Sequence, residues 1–228
     1  MIGIVTAMSC EAEEVRKALT DAVTEIIGAV EYTKGFIGST EAVVAVCGIG
    51  KVFAGACAQT MIVNYGCSHI INIGVAGSLS DSLDIKQIIS ASATVQHDMD
   101  TSAIGDPVGL ISGINVIEIP CDGNFTEGFS EFLCAKGEKL SKGIIATGDR
   151  FIKTEEDRKY LSETFNAVAG EMEGAAVGQI CYANGVPYND VRMITDKAGN
   201  SANDEYTCNL EECAVRLAQL FIEYIAKE

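Results

Sequence analysis

Short apolar runs alternate with helically spaced apolar positions along the whole chain. Runs at residues 2–7, 42–47, 70–73, 88–95, 143–147, 167–172 and 191–195 read as strands. Residues 31–37 and 42–47 flank Gly38-Ser39-Thr40, which predicts an antiparallel hairpin inside a mixed sheet. Phe53, Cys57, Met61 and Tyr65 share one helical face, and Gly66 follows as a stop. Thr154 with Asp157 resembles a capping box at a helix start, and Glu11-Ala12-Glu13-Glu14 reads as an acidic first turn. A helix over residues 173–184 ends at Gly185-Val186-Pro187. A last helix is expected from Asn209, with Leu210, Cys213, Leu217, Phe221 and Tyr224 as its core face. This order predicts a single α/β layer fold, and no repeat or Pro/Ser linker divides it.

Composition narrows the function classes. With 228 residues, 48% hydrophobic, 21% charged and only 3 Pro, the chain is globular, not disordered, collagenous or a coiled coil. Folding at this size hides roughly 70% of the extended-chain surface, enough for a core without metals or disulfides. Thirty-two acids against 16 bases leave a net charge of −16, which repels phosphate backbones and anionic lipid. Nucleic-acid binding is therefore disfavoured, and no apolar run reaches the roughly 20 residues of a membrane span. The N-terminal run lacks a basic flank and meets Glu11 early, so it reads as a first strand and not as a signal peptide. Nine cysteines form no CxxC pair and the histidines are only His69 and His97, which leaves zinc or dithiol chemistry without support. His97-Asp98 reads as solvated or structural, no metal or organic cofactor is expected, and the unpaired thiols suggest a reduced, cytoplasmic protein.

In open α/β sheets ligands bind beyond the carboxyl ends of strands, so the residues there are the candidates for chemistry. They include Glu11 after the first strand, Gly74-Val75-Ala76-Gly77 after the third run, Phe151 after residues 143–147, Glu173 after Met172, and Asp196 after Thr195. Each has a plainer reading: Glu11 and Glu173 as acids at helix starts, Asp196 as a turn cap, Phe151 as core. Gly48-Ile49-Gly50-Lys51 lacks the Walker spacing and Gly74–Gly77 is not GxGxxG, so both read as tight strand-to-helix turns.

As an ordered set these segments resemble one family. Ala7-Met8 with Glu11, Gly48-Ile49-Gly50-Lys51-Val52, Asn72-Ile73-Gly74-Val75-Ala76-Gly77 and His97-Asp98-Met99-Asp100 come first. Gly148-Asp149-Arg150-Phe151-Ile152, Glu171-Met172-Glu173-Gly174-Ala175-Ala176 and Arg192-Met193-Ile194-Thr195-Asp196 follow. The chain looks like a 5′-methylthioadenosine/S-adenosylhomocysteine nucleosidase of the nucleoside phosphorylase superfamily, collinear from residue 1 to about 198. The resemblance implies one three-layer domain over residues 1–228, a central mixed sheet flanked by helices, and a homodimer. It implies hydrolysis of the N-glycosidic bond of methylthioadenosine and S-adenosylhomocysteine, as in methionine salvage, with a small nucleoside as the only other partner. By position, Glu11 would be the base for water, Met172 and Glu173 would hold the ribose, and Asp196 would serve the adenine. Phe151 would stack on the base, the Ile152 backbone would bond its edge, and Met8, Ile49 and Val75 would line the sugar and 5′-thio end. The stretch 99–108 would close the partner subunit's pocket.

The chemistry asks for these groups. Cleaving C1′–N9 leaves positive charge on the ribose, which ionised Glu11 and Glu173 would favour. It leaves negative charge on the purine, which a protonated Asp196 would relieve. Of five arginines (Arg16, Arg150, Arg158, Arg192, Arg216) none lies in the two glycine turns, which favours water over phosphate as nucleophile, with Arg150 and Arg192 left to converge or not. Val75 where relatives often carry Ser, and distinctive stretches at 98–109 and 197–204, leave the 5′-substituent open, with 5′-deoxyadenosine and aminofutalosine as further candidates. The rival classes are a phosphate-dependent purine nucleoside phosphorylase and a non-catalytic adenosine-binding module.

Overall fold

A computed structural model of the chain describes residues 1–227. In chain order the elements are β1 (Ile2–Thr6), α1 (Ser9–Ala18), β2 (Thr20–Ile27), β3 (Val30–Ile37), β4 (Thr40–Val46), α2 (Lys51–Tyr65), β5 (His69–Ser78), β6 (Ile88–Gln96) and β7 (Ile119–Pro120). They continue as α3 (Gly123–Ala135), β8 (Leu140–Thr147), α4 (Glu155–Phe165), β9 (Ala167–Glu171), α5 (Gly174–Asn184), β10 (Tyr188–Asp196) and α6 (Ala202–Ile225). The expected mixed α/β architecture is present, with helices on both faces of one sheet.

The sheet runs β10-β6-β8-β9-β5-β1-β4-β3-β2, and β10 also pairs with β5, so five strands close on themselves while β1, β4, β3 and β2 extend as a wing. Strand alternation sorts the core into two layers. Ile4, Val44, Ile71, Ile73, Val191 and Met193 face α1, α3 and α6, where Phe129, Leu217 and Phe221 are fully buried. Val5, Val43, Ala45, Ile70 and Tyr188 face α2 and α5. Each fully buried Ile, Val or Phe contributes about 1.5–3 kcal/mol, so both layers hold the sheet. Cys47, Cys57, Cys181 and Cys213 are buried in these layers as small apolar side chains.

Three expectations change. Residues 74–78 are not a turn but the end of β5, because their backbone pairs with β10 and β9. The last helix starts at Ala202, seven residues before Asn209; the polar stretch between is largely exposed and carries no apolar stripe. The strand read over 167–172 ends at Glu171, where the chain turns into α5. Strand β2 and helix α3 carried no expectation: β2 is an exposed edge, and α3 packs Phe125, Phe129, Phe132 and Leu133 inward. No helix among the described residues is long and apolar enough to cross a membrane.

Candidate active site

The C-terminal ends of β1, β8, β9 and β10 meet residues 75–77 of β5 around a cavity of about 380 Å³. Met8, Glu11, Ile49, Val75, Phe151, Met172, Glu173 and Asp196 all line it. Ile152 lies in an adjoining crevice of about 30 Å³ that shares Phe151, Met172 and Asp196 with the larger space. The nine residues singled out from the sequence are thus brought together. A larger groove of about 720 Å³ runs along α6 between side chains of both signs such as Glu138, Glu212 and Arg216, and shares no lining residue with this cavity.

Glu11 sits in the first turn of α1, where the helix start turns its carboxylate back onto the chain entering it. Its Oε2 accepts the Ala7 and Met8 N–H groups at 2.9 Å each, and Oε1 accepts the Val75 N–H at 3.2 Å. Burial raises its pKa above the ordinary carboxylate value, against the pull of Arg192 and these three amides. Gly74 makes the approach feasible, since a Cβ there would stand 2.5 Å from Glu11 Oε1 and 2.6 Å from Arg192 Nη1.

Glu173 precedes α5 and is 4% exposed. Its Oε1 accepts the Gly50 N–H at 2.8 Å, and burial, then the neighbouring charge of Glu171, raises its pKa. Asp196 ends β10 at 2% exposure. The Ala198 N–H donates to its Oδ1 and the Thr195 hydroxyl to its Oδ2, both at 2.9 Å. Here too burial raises the pKa over the opposing effect of those bonds. Burial thus acts on all three carboxyls, but Arg192 opposes it at Glu11 and Glu173 and not at Asp196, which makes Asp196 the one best placed to donate a proton.

Three contributors escaped the sequence reading as site residues. Glu171 accepts the Glu173 and Gly174 N–H groups at 2.8 and 2.7 Å and the Thr147 hydroxyl, which ties the start of α5 to β8. Arg192 is 1% exposed; with the Asn72 amide nitrogen donating to the Val5 carbonyl at 3.0 Å, the Asn72 oxygen accepts from it. Tyr206 packs edge-on against Phe151 with centroids 5.5 Å apart, and its hydroxyl reaches Met8 Sδ at 3.4 Å. Only the helix start at Ala202 would have exposed Tyr206, and only the even spacing from Tyr188 to Arg192 would have placed Arg192 on the α5 side. Arg150 does not join Arg192: it pairs with Asp157 at the surface at 2.5 Å.

A second set of carboxylates locks the loop that carries Phe151. Helix α2 has no capping side chain of its own, and Asp149 accepts the Lys51 N–H at 2.8 Å in its place. Asp98 accepts the Asp149 N–H at 3.0 Å and pairs with the Lys51 ammonium at 2.5 Å, so Asp98 serves the clamp, while His97 is buried beside it.

The sequence profile of the Phosphorylase superfamily matches residues 1–226. The 5′-methylthioadenosine/S-adenosylhomocysteine nucleosidase of Shewanella frigidimarina is 32% identical over 223 residues, 97% of this chain and 96% of that one. A Helicobacter pylori MTAN mutant with 5′-methylthioadenosine in its active site superposes with a TM-score of 0.96 at 32% identity, covering 100% of this chain and 98% of the other. The native futalosine hydrolase of Helicobacter pylori superposes at 0.95, again 32% identical, over 100% and 97% of the two chains. A match over nearly the whole length, joined to the carboxylate-lined cavity, leaves one conclusion: this chain belongs to the phosphorylase superfamily, in its 5′-methylthioadenosine/S-adenosylhomocysteine nucleosidase family.

Proposed function

We propose that the chain hydrolyses the N-glycosidic bond of 5′-methylthioadenosine and S-adenosylhomocysteine, releasing adenine and the 5-substituted ribose. The observation that carries this reading is that Glu11, Glu173 and Asp196, distant in sequence and all buried, line one cavity. Glu11 takes the proton of the water attacking C1′. Glu173, backed by Met172, bonds the ribose hydroxyls, and negative charge on Glu11, which Arg192 and three backbone amides favour against burial, supports the oxocarbenium-like transition state. Asp196, whose carboxyl burial biases toward the protonated form, donates to the leaving adenine. Phe151 stacks on the base, the Ile152 backbone bonds its edge, and Met8, Ile49 and Val75 line the sugar and the 5′-substituent.

Water is favoured over phosphate because Arg192 is already surrounded by carboxylates and Arg150 is engaged at the surface. An incoming dianion would face Glu11, Glu171 and Glu173 without a free guanidinium. A futalosine-type substrate is the second reading, favoured by the futalosine hydrolase superposition at TM-score 0.95. Aminofutalosine, the candidate of that type that carries adenine, differs from the two thioethers only at the 5′ end, where Ile49 is 58% exposed and leaves the cavity wall unfinished. A homodimer in the cytoplasm would complete that wall. Ile49, Val52, Phe53 and Ile104 are apolar and exposed, and the stretch 99–108 of a second subunit would cover them. Light scattering on the purified protein is expected to give twice the chain mass.

Adenine release from methylthioadenosine, S-adenosylhomocysteine, 5′-deoxyadenosine and aminofutalosine, each with and without phosphate, tests the reading. Phosphate-independent release from the two thioethers supports it. Strict phosphate dependence identifies a phosphorylase, preference for aminofutalosine the second reading, and binding without release a non-catalytic module.

A further inference from the structure

Beneath the cavity, Arg192 is the single cation among four buried carboxylates: Glu11, Glu171, Glu173 and Asp190. The first three touch the cavity or hold its walls, but Asp190 does neither. It lies on β10, two residues before Arg192, fully buried. The guanidinium is gripped from two sides: Nε donates to Asp190 Oδ1 at 2.7 Å and Nη2 to Glu171 Oε2 at 2.6 Å. Its third nitrogen, Nη1, stands 3.8 Å from Glu173 Oε2, a looser contact than the other two. The neighbouring backbone is cut to admit Asp190, because a Cβ on Gly174 would fall 2.5 Å from Asp190 Oδ2. That oxygen has no hydrogen-bond partner among the described residues. A buried carboxylate that needs a glycine beside it and leaves one oxygen unpaired is costly to the fold.

We propose that Asp190 is a positioning residue for the reaction: by anchoring Arg192 against Glu171, it limits how much of the guanidinium's charge reaches Glu173 and Glu11. The inference rests on the reading of Glu11 and Glu173 as the reacting carboxylates. Burial raises the pKa of Asp190 while Arg192 opposes it, and Glu171 and Glu11 add to the rise. The ionisable groups facing Asp190 are Arg192 and Tyr188 on its own strand, Glu171 on β9, Glu11 on α1, Glu173 at the start of α5, and Cys121 ahead of α3. Arg192 alone is positive, so removing one negative charge leaves the others closer to full compensation. Glu173 and Glu11 then ionise at lower pH.

The test is the pH profile of kcat/KM for Asp190→Asn, which keeps an acceptor for Arg192 Nε and deletes the charge. The acid limb, set by the free enzyme's base, is expected to move down by about half a pH unit or more, roughly a threefold gain in relative rate on that limb. A limb that stays in place or moves up overturns the proposal. Should that variant fail to fold, Asp190→Ala deletes the same charge without adding atoms beside Gly174, and the same shift is expected. Carbon-detected NMR titration of the Glu173 carboxyl gives a reading independent of turnover. Glu173 is expected to titrate lower in the variant, and an unchanged titration overturns the proposal. If the wild-type protein released no adenine, the hydrolase reading would fall, while the carboxyl titration would still decide the role of Asp190.

Discussion

Replacing Asp196 by Asn separates proton donation from architecture. The two side chains have the same shape, and both contacts survive the exchange. The amide oxygen can keep the Ala198 N–H now held at 2.9 Å. The Thr195 hydroxyl, which donates to Asp196, also lies 3.3 Å from the Ala76 carbonyl and can turn its proton there while accepting from the new amide. The net change in fold stability should stay within about 1 kcal/mol, the worth of one exchanged hydrogen bond. What disappears is the carboxyl's capacity to give up a proton, which burial favours by raising its pKa. General acid assistance is worth roughly 10²–10⁴-fold, which at about 1.36 kcal/mol per tenfold is about 2.7–5.4 kcal/mol of barrier. Single-turnover release of adenine from methylthioadenosine, beside calorimetric titration with a non-cleavable adenosine thioether, reads chemistry and binding apart. The expected outcome is a kcat lowered by at least about 10²-fold with the dissociation constant within a few-fold of wild type. A kcat within threefold of wild type, or a loss that lies wholly in binding, would refute the leaving-group role.

Gly74→Ala would push a methyl group to 2.5 Å from Glu11 Oε1, and we expect about a 10²-fold fall in kcat from the displaced carboxylate with the circular dichroism spectrum retained; near-native turnover would contradict that crowding. Phe151→Ala should raise KM about tenfold, near the lower end of base-stacking energies because the ring is 39% exposed, with kcat little changed; an unaltered KM would remove Phe151 from the base site. Burial raises the pKa of Glu11, Glu173, Asp190 and Asp196, so their contribution to stability is complete below the ordinary carboxylate range and is lost as pH rises through their folded values. Asp157, lowered first by the Thr154 hydroxyl and also by Arg150, contributes in the opposite sense and is lost on acidification. Calorimetry should therefore give a higher Tm at about pH 6 than at pH 9; a Tm still climbing at pH 9 would contradict the sign.

The parts of the fold that were legible are those where burial writes itself into residue type. Strands β1, β4, β8 and β10 announce themselves because the packing on their faces selects Ile, Val and Ala. Strand β2 does not: Thr20–Ile27 is exposed almost throughout and is held by pairing with β3, which leaves no apolar alternation to read. Residues 74–78 misled because glycine signals a turn, whereas Gly74 is small to admit the Glu11 and Arg192 side chains and Gly77 to admit Asp196. The site was legible where its residues follow strand ends, as Glu11, Phe151, Glu173 and Asp196 do. It was opaque where a contribution depends on parity within a strand, as for Asp190 and Arg192. Tyr206 was hidden because its turn of α6 is polar outside and reaches Phe151 only through the tertiary fold.

The borrowed start of α2 has a spectroscopic consequence. The Gly50 and Lys51 amides donate to Glu173 and to Asp149, one lining the cavity and one on the loop bearing Phe151. Their solvent exchange therefore monitors two distant segments at once. Deuterium uptake at these two positions should slow when an adenine nucleoside tightens either segment, which makes a pair of backbone protons outside the reacting groups a direct gauge of occupancy.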